Sequence, residues 1–412
     1  MSYYLFPKGN VDLSKGFSVE ISNIDEVDKP KHILQKTRLS PSLTNYLFEL
    51  QENTNSAEFK QLQKEIFNCS KGILHRYSDT HSPIFFEIIE IIQTMHLNHY
   101  IDTISKNTPL SIFSFSNSNR RNNSPEESNQ RNNSPEESNQ RNNSPEESNR
   151  RNNSPEESNR RNNSTEESKK KTDIDAMKII REPYKRSFIP GIETTKDNYF
   201  LAEPDMIYSL ETFKQTYFKY GYKMHIIIAS SLDLQLSIPG IIIQLCMILC
   251  IQAKKGVLIW KIEETYSDIM LDILYLLSSF YEKMYFIKPT IIDTSKSEKY
   301  VVCKGFLFEN VYNVYSYLYP LVSQMSLLRL SPHIYIDRIL KTDIAYFFVS
   351  KLEEINYIFG QVQLEQLHYL SLLVSHKYRY DKIQNISKIN IQKIQEWWSK
   401  HHFFLQQLQL PV

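Results

Sequence analysis

Glycine is scarce in this chain. Only nine glycines occur among its 412 residues, and no two of them lie within six residues of each other. A loop that lets a cofactor approach the backbone closely needs glycine, because a residue without a Cβ adopts unusual φ values at little cost. The sequence therefore excludes a recognisable glycine-rich cofactor loop.

Cysteine and net charge are low as well. The four cysteines do not have the spacing of a zinc site, and Cys246 and Cys250 lie one helical turn apart in an apolar run, as packing residues do. We therefore predict no metal site and assume a reducing compartment. The formal net charge of +1 gives no general basic field, so any RNA contact requires a local patch.

The chain also lacks obvious membrane signals. The opening residues, MSYYLFPKGN, contain no basic segment followed by an apolar one, so we expect no secretory signal. Leu234 to Ala253 holds twenty residues without a charge, a length that could span a bilayer. Its three glutamines, its serine and its central Pro239-Gly240 favour a buried helix against a sheet. A membrane-associated structural protein remains an alternative.

A block of repeats occupies residues 121–170. It consists of five tandem copies of a ten-residue unit, RNNSPEESNQ with small changes. No copy contains an aliphatic or aromatic residue, so none can bury enough surface to offset the entropy of ordering the chain. We expect a disordered tether. Its Ser-Pro-Glu-Glu serines are candidate phosphorylation sites, and an inert spacer is the alternative; they are Ser124, Ser134, Ser144 and Ser154.

Hydrophobic periodicity elsewhere predicts alternating strands and helices. A strand at Val257 to Ile262 is followed by a helix capped by Ser267 or Asp268. The other predicted elements are an amphipathic helix at Ser82 to Leu97 and strands at Leu110 to Phe115, Met224 to Ser230, Tyr285 to Ile287 and Tyr300 to Cys303, followed by helices from Tyr312 to Trp398. This pattern is typical of an α/β fold.

The segment Lys254 to Phe306 carries a family resemblance. It contains G-x-x-x-x-K at Gly256 to Lys261, then Lys288-Pro289, then S-E-x-Y-x-V-C at Ser297 to Cys303. In this it resembles the FtsJ/RrmJ-type ribose 2′-O-methyltransferases, in the branch of large cytoplasmic DNA viruses (asfarvirus-like). The resemblance implies a Rossmann-like sheet that binds S-adenosylmethionine (SAM), with helices on both faces.

The resemblance also implies the positions of four catalytic residues. The family's catalytic lysine and glutamate of the second half fall on Lys261 and Glu298. In the first half, Glu87 stands where the family has a lysine, and Ser230 stands where it has an aspartate. The SAM loop, P-G-G-F in the family, is replaced by SNSNRR after Phe115. An ordinary ion pair between Lys261 and Glu298 is the alternative to a catalytic role.

These substitutions predict a degenerate copy of the family. We expect a catalytically inactive scaffold that binds neither SAM nor a metal and holds RNA or a protein of a viral transcription or capping assembly, in the host cytoplasm or the virion. No DNA-binding motif is present. The alternative is an active, SAM-dependent mRNA cap 2′-O-methyltransferase with a rewired site, in which Asp233 or an acidic residue from Glu193 to Asp205 replaces the lost groups.

The predicted organisation has five parts. They are a mixed or helical N-terminal extension (1–75), the first part of the methyltransferase-like domain (76–118), disordered repeats (119–172), the rest of that domain (173–310) and a C-terminal helical region (311–412). That last region either caps the domain or, through Trp397 and Trp398, offers a docking surface for a partner.

Overall fold

Six strands form one open mixed sheet in the computed structural model of the chain. The structure describes residues 3–23, 39–53, 56–63, 83–105, 112–115, 223–229, 238–328, 334–375 and 380–407. The strands are β1 (Tyr3–Leu5), β2 (Phe17–Asn23), β3 (Ile112–Phe115), β4 (Met224–Ala229), β5 (Gln252–Ile262), β6 (Tyr281–Ile287), β7 (Lys299–Phe306) and β8 (Ile334–Leu340). Of these, β2 and β8 form a separate two-stranded antiparallel sheet.

Helices surround the large sheet and form the C-terminal part of the chain. They are α1 (Pro41–Asn53), α2 (Pro83–Thr94), α3 (Leu97–Ser105), α4 (Ile238–Ile251), α5 (Asp268–Phe280), α6 (Tyr312–Leu328), α7 (Tyr346–Ser375) and α8 (Tyr380–Gln407). A short helical segment also covers residues 57–63. All described residues belong to one unit, built from residues 1–118 and 170–412.

The strand order in the large sheet is β1-β6-β7-β5-β4-β3. Strands β3, β4 and β5 are parallel, and β7 runs antiparallel to both β5 and β6. Strand β5 is apolar on both faces, with Leu258 and Trp260 in one core and Val257 and Ile259 in another. A strand with two buried faces reads as a continuous apolar run, which is why this segment could be predicted.

One face of the sheet is covered by α4 and α5, and α6 packs on the outer side of α4. Helix α4 is buried at every position whose side chain is described, since the sheet lies on one side and α6 on the other. The helix ends at Ile251 and β5 begins at Gln252, whereas the apolar run predicted a helix that continues to Ala253. No helix among the described residues combines the length and the apolar composition that a bilayer crossing needs.

Helix α2 covers the opposite face; a helix is confirmed there, but it is buried on both sides where an amphipathic helix with one exposed side was predicted. Ile88, Ile91 and Ile92 pack on the sheet, whereas Phe85 and Phe86 contact α8. The interior residues of this helix are therefore apolar on two sides. The architecture is a mixed sheet between two helical layers, with α8 outside α2 and α7 packed against α1 and α5.

Local signals located most elements correctly. The predicted cap of α5 is confirmed, because Ser267 Oγ accepts a hydrogen bond from the Met270 N–H at 3.3 Å. The strands predicted at 257–262, 285–287 and 300–303 are present and extend further. Ser230, given to a strand at 224–230, lies outside the described residues, as do the repeats.

Three strands, β1, β2 and β8, were missed because their partners are distant in sequence. Tyr3–Leu5 pairs with β6, although the pattern indicated only an N-terminal extension there. The prediction of continuous helices after Tyr312 is wrong at β8, which pairs with β2. Pairing across roughly three hundred residues leaves no local signature, since each short strand depends on its partner for its hydrogen bonds.

Helix α8 is attached to α2 by polar contacts as well as apolar ones. Trp397 is 3% exposed, its ring lies 5.4 Å from the Phe86 ring, and its Nε1 donates to Glu90 Oε2 at 2.8 Å. His401 contacts Gln93 Oε1 through its Nδ1 and stacks on Trp397. The prediction that Trp397 anchors an external partner is therefore wrong, because this tryptophan is buried between α8 and α2.

His401 should make stability depend on pH. Burial, and then the charge of Lys400, lowers the pKa of His401 to about 4, so the folded state holds it neutral. The unfolded chain binds a proton near its usual 6.5, so stability should fall as pH drops from about 6.5 towards 4. The melting temperature should change less between pH 7 and pH 5 for His401→Gln than for the wild type. An equal difference in both proteins contradicts this assignment; His368→Gln, at an exposed site on α7, is the control.

Candidate functional site

Lys261 lies near the carboxyl end of β5, on the face that α2 covers. Alternation along β5 gives it the same face as Val257 and Ile259, and its Cα partner in β7 is Tyr300. It is 5% exposed. A buried ammonium in an otherwise apolar layer requires compensating charges, because desolvation strongly disfavours an isolated ion.

Two carboxylates supply that compensation. Lys261 Nζ lies 3.0 Å from Glu87 Oε2 and 2.8 Å from Glu298 Oε2. Glu87 comes from α2, and Glu298 immediately precedes β7. The hydroxyl of Tyr300 donates to Glu87 Oε2 at 2.6 Å. The structure thus brings together three of the four residues that the sequence singled out, and the ion pair between Lys261 and Glu298 is confirmed.

The charges in this cluster stabilise one another. Burial lowers the pKa of Lys261, but attraction to Glu87 and Glu298 and their hydrogen bonds outweigh it, so its pKa is raised overall. Burial raises the pKa of Glu298, yet Lys261 and Lys296 bring it below its usual value. Lys261 is consequently protonated at neutral pH and is held in place by its two carboxylate partners.

The fourth residue, Ser230, lies outside the described residues. Strand β4 is described up to Ala229, whose Cα partner in β5 is Trp260, the neighbour of Lys261. Asp233 and the acidic stretch from Glu193 to Asp205 also lie outside the described residues. The structure therefore describes the second half of the predicted site together with Glu87.

Two further lysines near the cluster were not predicted. Lys299 is buried, and its Nζ donates to the carbonyls of Glu263 at 3.0 Å and Ser297 at 3.2 Å. Burial, and then the charge of Lys288, lowers the pKa of Lys299 to about 7. Burial likewise lowers the pKa of Lys288 to about 8. The sequence gives no signal that these lysines are buried, because lysines in and beside a polar loop are normally exposed.

The loop that carries Glu298 is fixed from several sides. Glu90 of α2 accepts from the Thr290 N–H at 3.0 Å and from its hydroxyl at 2.6 Å. Gln63 donates to Ser295 Oγ at 2.8 Å, and Gln363 of α7 donates to the Ser295 carbonyl at 3.2 Å. These contacts hold the loop in place, and the loop positions Glu298 beside Lys261.

The arrangement suits charge stabilisation better than proton transfer. Lys261 already has two carboxylate partners, and Glu87 has both Lys261 and Tyr300. In the part of the chain that the structure describes, no set of three histidine, cysteine or carboxylate side chains is placed to bind a metal ion.

No family model matches the chain, and no curated protein sequence matches it either.

Proposed function

We propose that the protein is an FtsJ-like methyltransferase-fold scaffold that has lost methyl transfer. Its partner would be RNA or a protein of a viral transcription or capping assembly, in the host cytoplasm or the virion. The observation that carries the proposal is the cluster at Lys261, where Glu87 and Glu298 hold a protonated lysine.

The strand arrangement supports the fold part of the proposal. A Rossmann-like sheet is mostly parallel with helices on both faces, and β3, β4 and β5 are parallel in this chain. Here β7 is reversed and lies between β5 and β6, which share a direction. Lys261 and Glu298 lie at the end where β5 finishes and β7 begins, and ligands of open α/β sheets bind at the carboxyl ends of the parallel strands.

The site supports the loss of activity. A lysine that removes a proton from a ribose hydroxyl must be neutral for part of the time near the working pH, which requires a lowered pKa. The pKa of Lys261 is raised instead, because both carboxylates stabilise its charged form. Glu87 supplies one of those carboxylates at the position where the family resemblance predicts a second cation.

An active enzyme with a rewired site is the second candidate. It is favoured by Lys288, whose pKa is lowered to about 8 by burial despite the nearby charges of Asp293 and Glu298. An amine with this pKa suits general base catalysis better than Lys261 does. Its Nζ, however, already donates to the Lys296 carbonyl, so a substrate would have to replace that bond.

Calorimetric titration with SAM and with its demethylated product tests the proposal. We expect no heat at ligand concentrations far above the micromolar range, because the chain has no glycine-rich loop to receive the methionyl group. Micromolar binding would overturn the proposal. A methyl-transfer assay on capped RNA would then identify the catalytic lysine. Lys288→Met should abolish activity if Lys288 is the general base, and Lys261→Ala tests the lysine position that the family uses.

A further inference from the structure

Part of the large sheet is exposed on the face that α2 covers elsewhere. Tyr3 and Leu5 of β1 are each 52% exposed, Lys283 of β6 is exposed and Tyr285 is half-buried. Together with Lys304 of β7, these residues form what we call the β1–β6 surface. Exposed aromatic and apolar side chains on a sheet indicate a binding surface more strongly than scattered ones do.

The five side chains form one contiguous patch. Leu5 is the Cα partner of Tyr285, and Lys283 is the Cα partner of Lys304. The Tyr3 and Tyr285 rings lie 5.9 Å apart in an edge-to-face arrangement. Lys304 Nζ lies 5.5 Å from the centre of the Tyr285 ring. The two aromatic rings are therefore neighbours, the two lysines are neighbours, and the Lys304 ammonium lies beside the Tyr285 ring.

The charge of this surface is not compensated locally. Lys283 and Lys304 face each other across two strands, and like charges in that position are destabilising. Lys283 makes no ion pair with any residue that the structure describes. Lys304 Nζ donates to the Met95 carbonyl, which uses one of the three ammonium hydrogens. The nearest carboxylate on β6 belongs to Glu282, whose side chain packs against Gly305. An anionic partner would relieve this repulsion.

We propose that the β1–β6 surface binds single-stranded RNA, with bases stacked on Tyr3 and Tyr285 and phosphates on Lys283 and Lys304. The inference rests on the RNA-binding part of the proposed function and gives it a location. Every base has a π-face that stacks on an aromatic ring, and lysines follow the phosphate backbone, so this surface binds without reading sequence. The charge favours a polyanion over a neutral peptide strand added to the edge of β1.

Fluorescence anisotropy with a labelled oligouridylate of about ten nucleotides tests the inference on the full-length protein. The double variant Tyr3→Leu/Tyr285→Leu keeps the apolar area but removes the stacking rings, and it should bind at least about tenfold more weakly. Lys283→Gln should lower the slope of affinity against salt, between about 50 and 200 mM, by about 0.7. Tyr346→Leu and Lys341→Gln, at exposed sites elsewhere, are the matched controls and should change neither quantity.

The outcomes separate this inference from the proposed function. If the wild type binds the oligonucleotide and the surface variants bind equally well, the β1–β6 surface is not the RNA-binding site, whereas the proposal of an RNA-binding scaffold is retained. If the wild type does not bind, both this inference and the RNA part of the scaffold proposal fail, and a protein partner at the β1 edge takes their place. The absence of methyl transfer is decided separately by the SAM titration.

Discussion

Replacing Lys261 by methionine is expected to lower the free energy of unfolding by about 3–5 kcal/mol, the usual cost of removing one partner from a buried ion pair. Methionine fills a similar volume, so the loss arises from charge. Glu87 and Glu298 would then face each other in a buried site without the ammonium that lies 3.0 Å and 2.8 Å from them. Urea unfolding at pH 7, followed by circular dichroism, measures the change.

A triple variant provides the control for this prediction. Adding Glu87→Gln and Glu298→Gln to Lys261→Met removes both uncompensated charges and should recover most of the lost stability, because the three residues act as one unit. Each single glutamine variant should also be destabilised, by less than Lys261→Met, since one carboxylate remains. A Lys261→Met protein within about 1 kcal/mol of the wild type would show that water reaches the cluster and screens it.

The pairing of Lys261 with Glu298 could be predicted from sequence because both lie at strand ends with strong local signals. Val257 to Ile262 is a mostly apolar run opened by Gly256, and Tyr300 to Cys303 is a short apolar run that follows a polar loop. Adjacent strands bring their ends together whatever the rest of the chain does. The contact of Glu87 with Lys261 is harder to predict from sequence. The helix itself is predictable, but its rotation against the sheet depends on its packing with α8.

The environment of Lys288 and Lys299 could not be predicted from sequence. A lysine in a polar loop is normally exposed, and nothing local indicates that Glu90, Gln63 and Gln363 close this loop against the protein. Those contacts join segments separated by 68 to more than two hundred residues. The lowered pKa values follow from that burial, so they emerge only once the tertiary structure is known.

The same limitation applies to the small sheet of β2 and β8, which is hydrogen-bonded to a buried carboxylate of α5 as well as packed on the core. Asp272 of α5 is fully buried and accepts hydrogen bonds from the N–H groups of Ile339 and Leu340 at 2.7 and 3.0 Å. It also accepts from Arg338 Nε at 2.7 Å. In sequence it is an aspartate inside an amphipathic helix, where an exposed position would be expected.

Asp272→Ala should therefore lower the free energy of unfolding by about 3 kcal/mol, because two buried N–H groups of β8 lose their acceptor. Chemical denaturation measures the loss, and Asp343→Ala, at an exposed site, should change stability little.

The pH dependence of Asp272 distinguishes a lost charge from a lost acceptor. Burial raises the pKa of Asp272 to about 6, against the opposing effects of Arg338 and the two N–H groups. The folded state then binds the proton more tightly than the unfolded chain, so the contribution of Asp272 to stability should fall as pH rises from about 4 to about 6, opposite in sign to the contribution of His401. Asp272→Asn keeps one acceptor oxygen but cannot ionise, so this part of the pH dependence should disappear while some of the stability is retained. If the wild type and Asp272→Asn show the same pH dependence, the carboxyl is not the group that titrates in this range, and the attachment of β8 depends on hydrogen-bond geometry alone.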